Sequence, residues 1–245
     1  MKLINSEQNF IEKDISFVSD GFVLKGKLNL PEANQPPVVI GSHGLYSSSS
    51  SPKQIALAHR CNRLGMAYFR FDHRGCGNSG GEFDEVTSLE ARCRDLVAAA
   101  TLMRNRKDTG DPIGLFGSSM GGTVCLRSAG QIGVRAMVTF AAPIRSRIPG
   151  ETPELPNQQG QGIYFDVARR RFDITGRLSE ISGILIIHGD ADNVVPVSHA
   201  EELYNLVKQP KRKIIQKSGD HPMSNPEHQR AFIREASMWF EQHLK

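Results

Sequence analysis

Residues 114–124 read GLFGSSMGGTV, with two adjacent serines set between glycines. Only Ser119 has glycine at both minus two and plus two, Gly117 and Gly121. With 23 glycines and 21 serines in 245 residues, chance supplies about 0.2 matches to this pattern per chain, so the motif alone decides nothing. A serine hydroxyl is a weak nucleophile at neutral pH and needs a base that titrates near it; a histidine, with a reference pKa of about 6.5, suits this, and a carboxylate can hold its tautomer. His221 in SGDHPM and Asp192 in LIIHGDADNVVP complete such a set, with Asp190 as the competing acid.

These residues can meet only if the elements that carry them end at one place. FIEKDISFV and FVLKGKLNL, separated by Ser19-Asp20-Gly21, predict two strands of a hairpin-like start. PPVVIGSHG, MAYFRFD, PIGLFGS, RAMVTFAAP, GILIIHGD and RKIIQK then read as further strands. Helices alternate with them. Ser51, Pro52 and Gln54 predict a capping box that opens one helix, and Thr87 with Glu90 predicts another running to about Arg106. The apolar face of that second helix is expected at Leu89, Cys93, Leu96, Val97, Ala100 and Met103. MGGTVCLRSAGQ follows the Ser119 strand as a helix, and Ser198 with Glu201 and Asn225 with Pro226 mark the last two helix starts.

Strands apolar on both faces, alternating with amphipathic helices, specify an α/β fold of about eight mostly parallel strands with helices on both faces. One domain over 1–245 is expected. The alternation breaks at 144–182, where prolines and glycines precede IYFDVARRRF; a small lid with a short helix is expected there. In such a sheet ligands bind beyond the carboxyl ends of the strands. His43-Gly44-Leu45, Ser118-Ser119, Asp190 to Asp192 and His221 all follow strand ends on one edge.

Composition narrows the setting. The chain is 39% hydrophobic and 23% charged, ordinary for a globular protein, and its net charge of +4 is spread without a basic block interleaved with aromatics, so nucleic acid is not an implied partner. No signal-peptide pattern and no membrane span is visible, which makes a cytoplasmic location the expectation. Cys61, Cys76, Cys93 and Cys125 lack metal-ligand spacing and read as reduced packing residues, so no metal is expected.

GSHGL, FDHRGCGNSGGEF, GLFGSSMGG, LIIHGDADNVVP and SGDHPM, in that order, resemble the successive signatures of the α/β-hydrolase superfamily. The order serine, acid, histidine is also the order of that superfamily. The nearest flavour is similar to small-lidded bacterial esterases: cinnamoyl or feruloyl esterases and the dienelactone-hydrolase and serine-aminopeptidase-like branches. The resemblance implies Ser119 as nucleophile, His221 as base and then acid, and Asp192, in preference to Asp190, as the residue that orients His221. It also implies an oxyanion hole from the backbone N–H groups of Leu45 and Met120, with Gly117 and Gly121 holding the strand-to-helix elbow open. His43 is read as stabilising the oxyanion loop, FDHRGCGNSGG as a structural turn, Asp220 as solvated, and Ser47 to Ser51 as a flexible linker ending in a helix cap. His59, His188 and His243 lack partners at useful spacing and are read as structural or exposed. Arg145, Arg147, Arg169, Arg170 and Arg171 could bind an anionic part of a substrate, or form a solvated face.

The expected function is a serine carboxylesterase that cleaves small to medium esters through an acyl-enzyme, with no cofactor. An amidase or peptidase of the same fold, or a non-catalytic ligand-binding protein, is the alternative. The acyl and alcohol groups and the oligomeric state are not specified at this level.

Overall fold

Alternating apolar strands and helices fold into a three-layer α/β arrangement in the computed structural model, which describes residues 11–146 and 171–245. Eight strands form one sheet: β1 (Ile11–Ser19), β2 (Phe22–Leu30), β3 (Val38–Ser42), β4 (Ala67–Phe71), β5 (Ile113–Ser118), β6 (Ala136–Phe140), β7 (Ile184–Gly189) and β8 (Lys211–Gln216). Their spatial order is β1-β2-β4-β3-β5-β6-β7-β8; β2 runs antiparallel to both its neighbours, β1 and β4, and β3 to β8 are mutually parallel. The β1–β2 turn is Asp20-Gly21, both at positive φ (47° and 82°), the conformation that matches the twist of a two-residue hairpin. Ser19 belongs to β1 rather than to the turn.

The central strands are buried on both faces because helices cover each side. Val38, Ile40, Leu115, Met137, Ile184 and Ile186 face one core; Val39, Phe116, Val138, Leu185 and Ile187 face the other. Helices α1 (Pro52–Arg63) and α6 (Pro226–Leu244) cover the second face. The first is covered by α3 (Leu89–Arg104), α4 (Met120–Ile132), α5 (Ser198–Leu206) and the 3₁₀ turn Thr175–Glu180. The four-residue α2 (Phe83–Val86) was not signalled by any periodicity.

Three helix starts differ from expectation. Ser51 occupies the N-cap position of α1 but makes no side-chain cap bond, and Gln54 is drawn into the core, where its Oε1 accepts from the Tyr68 hydroxyl at 3.2 Å. Thr87 is consumed in ending α2, so Ser88 caps α3 by accepting from the Ala91 N–H at 3.1 Å. Val197, not Ser198, caps α5, because the carbonyls of Pro196 and Val197 already take the first free N–H groups. Asn225 caps α6 as expected, accepting from Glu227 N–H at 2.8 Å.

The buried stripe of α3 is rotated from the expected apolar face. Arg92 and Asp95 are fully buried, while Cys93 and Val97 are only partly so. Asp95 earns that burial by binding Arg74: Arg74 Nε and Nη2 donate to Asp95 Oδ1 at 2.9 and 2.6 Å, and the Arg74 N–H donates to Oδ2 at 3.0 Å. Arg74 belongs to the FDHRGCGNSGG segment, which is a structural turn: Asp72 accepts from Ser49 N–H at 2.6 Å and from Asn78 N–H at 3.0 Å. Ser49 is therefore pinned, and Arg70 holds its carbonyl at 3.1 Å, so the Ser47–Ser51 segment is not the flexible linker expected.

Most of the expected lid, including its short helix, lies at 147–170, outside the described residues. Its described ends are joined: Arg145 and Asp173 form an antiparallel backbone β-bridge, Ser146 N–H donates to Phe172 O at 2.9 Å, and Ile174 N–H donates to Ile144 O at 3.0 Å. Ile174, Leu178 and Ile181 are buried in the core, so the stretch after Phe172 belongs to the body of the fold rather than to an insertion.

Removing one partner of a buried ion pair leaves a desolvated charge, whereas an exposed pair contributes little. Asp95→Ala should lower unfolding free energy by about 3–5 kcal/mol in urea denaturation, against about 0–1 kcal/mol for Asp20→Ala, whose carboxylate meets the same arginine but is 42% exposed.

Candidate active site

The carboxyl ends of β3, β5, β7 and β8 meet at one edge of the sheet. The chain moves from β3 outward to β4 and then returns to β5 on the other side of β3, so the crevice between β3 and β5 is a topological switch point. Ser119 stands there, between β5 and α4, with φ 53° and ψ −125°. A non-glycine residue in this conformation costs on the order of 1–3 kcal/mol, and its surroundings must hold it. The Ser119 N–H donates to Phe140 O at 2.8 Å, and the Ser119 carbonyl accepts from Gly122 N–H at 2.8 Å.

Glycine is required on both sides of this turn, for two different reasons. A Cβ on Gly117 would overlap the Gly121 carbonyl, whereas a Cβ on Gly121 would overlap the Ser42 carbonyl at the end of β3. The two glycines therefore do not merely make room for each other; Gly121 lets α4 seat against the strand that leads to the Leu45 loop. Ser118 is the last residue of β5, paired with Phe140, and lies outside the elbow.

The other candidates arrive from separate elements. The Ser119 hydroxyl lies 3.1 Å from His221 Nε2, and His221 Nδ1 donates to Asp192 Oδ2 at 2.7 Å. The loop after β7 turns Asp192 inward, where its Oδ1 accepts from the N–H groups of Val194 and Val195 at 2.9 and 2.8 Å and its side chain is fully buried. Burial alone would raise the carboxyl pKa; hydrogen bonds from His188, His221 and the Val195 N–H outweigh it and hold Asp192 well below the ordinary carboxylate range. Asp190 is exposed and braces the Ser218 N–H instead. Asp220 is half-buried and accepts from Ser224 N–H at 2.7 Å, bracing the turn behind His221. Lys53 of α1 ties the same turn by donating to Pro222 O at 3.0 Å.

On the opposite side of Ser119, the loop after β3 comes close: a Cβ placed on Gly44 would sit 3.7 Å from Ser119 Cβ. Leu45 follows directly, and Met120 opens α4. Neither the Leu45 N–H nor the Met120 N–H has an acceptor among the described residues. A hydroxyl bonded to an imidazole that is bonded to a buried carboxylate can lose its proton as it attacks a carbonyl carbon.

Several groups around the site were not legible, or were read differently, in the sequence. His188 has partners after all: it is buried, donates from Nε2 to Val195 O at 2.8 Å, and lies 3.4 Å from Asp192 Oδ2. His43 has both ring nitrogens on main chain, Nδ1 donating to Gly44 O at 2.7 Å and Nε2 accepting from His73 N–H at 3.1 Å. His73 is buried too, with Nε2 2.9 Å from Ser42 Oγ and Nδ1 3.4 Å from Asp95 Oδ2. Arg92 of α3 reaches the same loop. The signal for Arg92 was its place in the spacing Leu89, Arg92, Leu96, Ala99, Met103, a charged residue on a core stripe. Of the candidate anion-binding arginines, Arg145 pairs with Glu202, Arg171 is exposed, and Arg147, Arg169 and Arg170 lie outside the described residues. Among the described residues no cluster of histidine, cysteine, aspartate or glutamate could hold a metal ion, and no helix is long and apolar enough to cross a membrane.

Known proteins resemble this chain in both sequence and fold. Residues 33–158 match the family model described as serine aminopeptidase, S33. YfhR of Escherichia coli O157:H7 is 35% identical over 200 residues, covering 78% of this chain and 65% of YfhR, so the chain spans just under two thirds of that relative. Dienelactone hydrolase from Anabaena variabilis superposes with a TM-score of 0.76 at 22% identity, covering 96% of this chain and 99% of its own. Est1E from Butyrivibrio proteoclasticus, solved with ferulic acid bound, gives 0.77 at 19% identity, with 94% and 98% covered.

The two histidines under the Leu45 loop set an acid limit on stability. Burial, together with the positive charge of Arg92 and the neighbouring ring, pushes His43 well below its ordinary value; burial lowers His73 to about 4 against the pull of Asp95. The unfolded chain takes up these protons near pH 6.5 while the folded chain does not until about 4 for His73, so stability is fully present above 6.5 and is lost as pH falls toward 4. Urea denaturation between pH 6 and 5 should show unfolding free energy dropping by about 1–3 kcal/mol per pH unit; a flat profile would contradict neutral burial of both rings.

Proposed function

This chain belongs to the α/β-hydrolase superfamily, in the serine aminopeptidase S33 family, and on that premise we propose that it is a serine carboxylesterase acting on small to medium carboxylic esters through an acyl-enzyme. The observation that carries this reading is the unbroken chain from the Ser119 hydroxyl through His221 to buried Asp192, at 3.1 and 2.7 Å. Ser119 Oγ attacks the ester carbonyl carbon as its proton passes to His221 Nε2. The carbonyl oxygen becomes the oxyanion and is received by the N–H groups of Leu45 and Met120. His221 then gives its proton to the leaving alkoxide, the C–O bond breaks, and Ser119 carries the acyl group. Water, activated by His221 in the same way, releases the acid and restores the hydroxyl.

Asp192 keeps the proton of His221 on Nδ1, so that Nε2 presents its lone pair to Ser119. Its own ionised form persists through the working pH range because the groups that bind it favour the charge. The family description favours a second reading, peptide-bond or amide cleavage by the same residues. An amide asks more of His221 as acid, since the nitrogen must be protonated before it leaves, so a matched ester and anilide pair separates the two.

A fluorophosphonate should label the protein at Ser119 and abolish turnover of aryl and alkyl esters; a native protein that resists labelling would falsify the esterase reading. Ser119→Ala should lose labelling and turnover together, while Ser118→Ala keeps both. Asp192→Asn should lower kcat by on the order of 10³–10⁴ with a small change in KM, measured by steady-state hydrolysis of a chromogenic ester, whereas Asp190→Asn should stay within about threefold.

A further inference from the structure

Arg92 is among the largest fully buried side chains of the molecule, and its guanidinium points into the loop that follows β3. Nη2 donates to Leu45 O at 2.9 Å and lies 3.2 Å from Cys76 Sγ, and Nη1 donates to Gly44 O at 3.3 Å and to His43 O at 3.4 Å. Three consecutive carbonyls therefore turn toward one side chain. In a trans peptide the C=O and the N–H of the same unit point in opposite directions. The Gly44 carbonyl and the Leu45 N–H belong to one such unit. With the Gly44 carbonyl drawn toward Arg92 and held also by His43 Nδ1 at 2.7 Å, the Leu45 N–H faces the other way, and the loop lies against Ser119.

We propose that Arg92 is a positioning residue for the oxyanion hole: by holding the carbonyls of residues 43 to 45 it fixes the peptide orientation that presents the Leu45 N–H to the reacting oxygen. The inference rests on the reading of Ser119 as nucleophile and Leu45 as donor. A peptide rotated the other way would aim the Gly44 oxygen, a partial negative charge, at the place where negative charge develops. The two donors on that oxygen, His43 and Arg92, oppose the rotation, and Arg92 ties the loop to α3, an element with no other part in the chemistry. A fixed dipole lowers the barrier because it needs no reorganisation during the reaction.

Arg92→Lys and Arg92→Met in the full chain test this, with fluorophosphonate labelling taken to completion to count competent sites. Arg92→Met should lose on the order of 10²–10³ in kcat per labelled site with KM within about threefold, the loss expected when one oxyanion donor is misplaced. Affinity for a trifluoromethyl ketone, whose adduct with Ser119 carries an oxyanion, should fall by a similar factor. Arg92→Lys, which keeps a donor in the cavity, should recover part of both. Turnover per labelled site within threefold of the parent, or a loss that lies wholly in the number of labelled sites, overturns the proposal and leaves Arg92 a packing residue. If neither variant gives labelled sites, its role is structural and the proposal fails likewise. Failure of the parent protein to label is a different result, and it removes the Ser119 reading itself.

Discussion

Crowding at the turn from β5 into α4 sets the terms for everything else at this edge of the sheet. Ser119 holds a backbone conformation that few side-chain-bearing residues adopt, and it does so because β6 and α4 give its N–H and carbonyl no better arrangement. Glycine at 117 admits the Gly121 carbonyl, and glycine at 121 admits the end of β3. Three elements thus reach van der Waals contact through two missing side chains. A consequence is that the loop after β3, with Leu45, cannot be placed independently of Ser119, because both pack on the first turn of α4.

Behind this turn lies a buried polar layer uncommon for the interior of an α/β fold. Arg92, His43, His73, Asp95 and Arg74 occupy the space between α3, the β3 loop and the β4 loop, each bonded to the next or to main chain. Burying such groups is unfavourable unless they are satisfied, so their cost is recovered through bonds that fix the surrounding loops. The two histidines are neutral: the His43 ring links two backbone groups, and the His73 ring lies between the Ser42 hydroxyl and Asp95; the arginines carry the charge, with Asp95 as counter-ion for Arg74. The same division holds on the other side of Ser119, where buried Asp192 is charged and is met by His221, His188 and two N–H groups. Rigid loops on both flanks of one hydroxyl follow from these bonds, not from the apolar core.

Much of the fold was legible before any coordinate. The alternation of apolar runs and helical patterns, the Asp20-Gly21 turn and the Asn225-Pro226 helix start each depend on neighbours in the chain, and each stands where the residue pattern put it. Ser119, Asp192 and His221 each follow a strand end, and parallel strands bring those ends to one edge as a matter of topology. Where the local pattern and the structure differ, another partner competes. Gln54 left its capping role for Tyr68, Thr87 was used to close a helix that had no periodic signal, and the face of α3 turned so that Arg92 and Asp95 could reach the loops after β3 and β4. His188 looked partnerless because its partners, Asp192 and Val195, depend on how the loop after β7 curls.

By itself the sequence determined what depends on residue type and short spacing: an α/β sheet, a serine between two glycines, and an aspartate and a histidine that follow it at later strand ends. Only the tertiary structure decided which carboxylate meets His221, which way the Leu45 peptide faces and which charges lie inside. These outcomes rest on distances between residues far apart in the chain. A buried charge or a peptide orientation is set by whatever group the fold brings within hydrogen-bond reach, and no local pattern encodes that group.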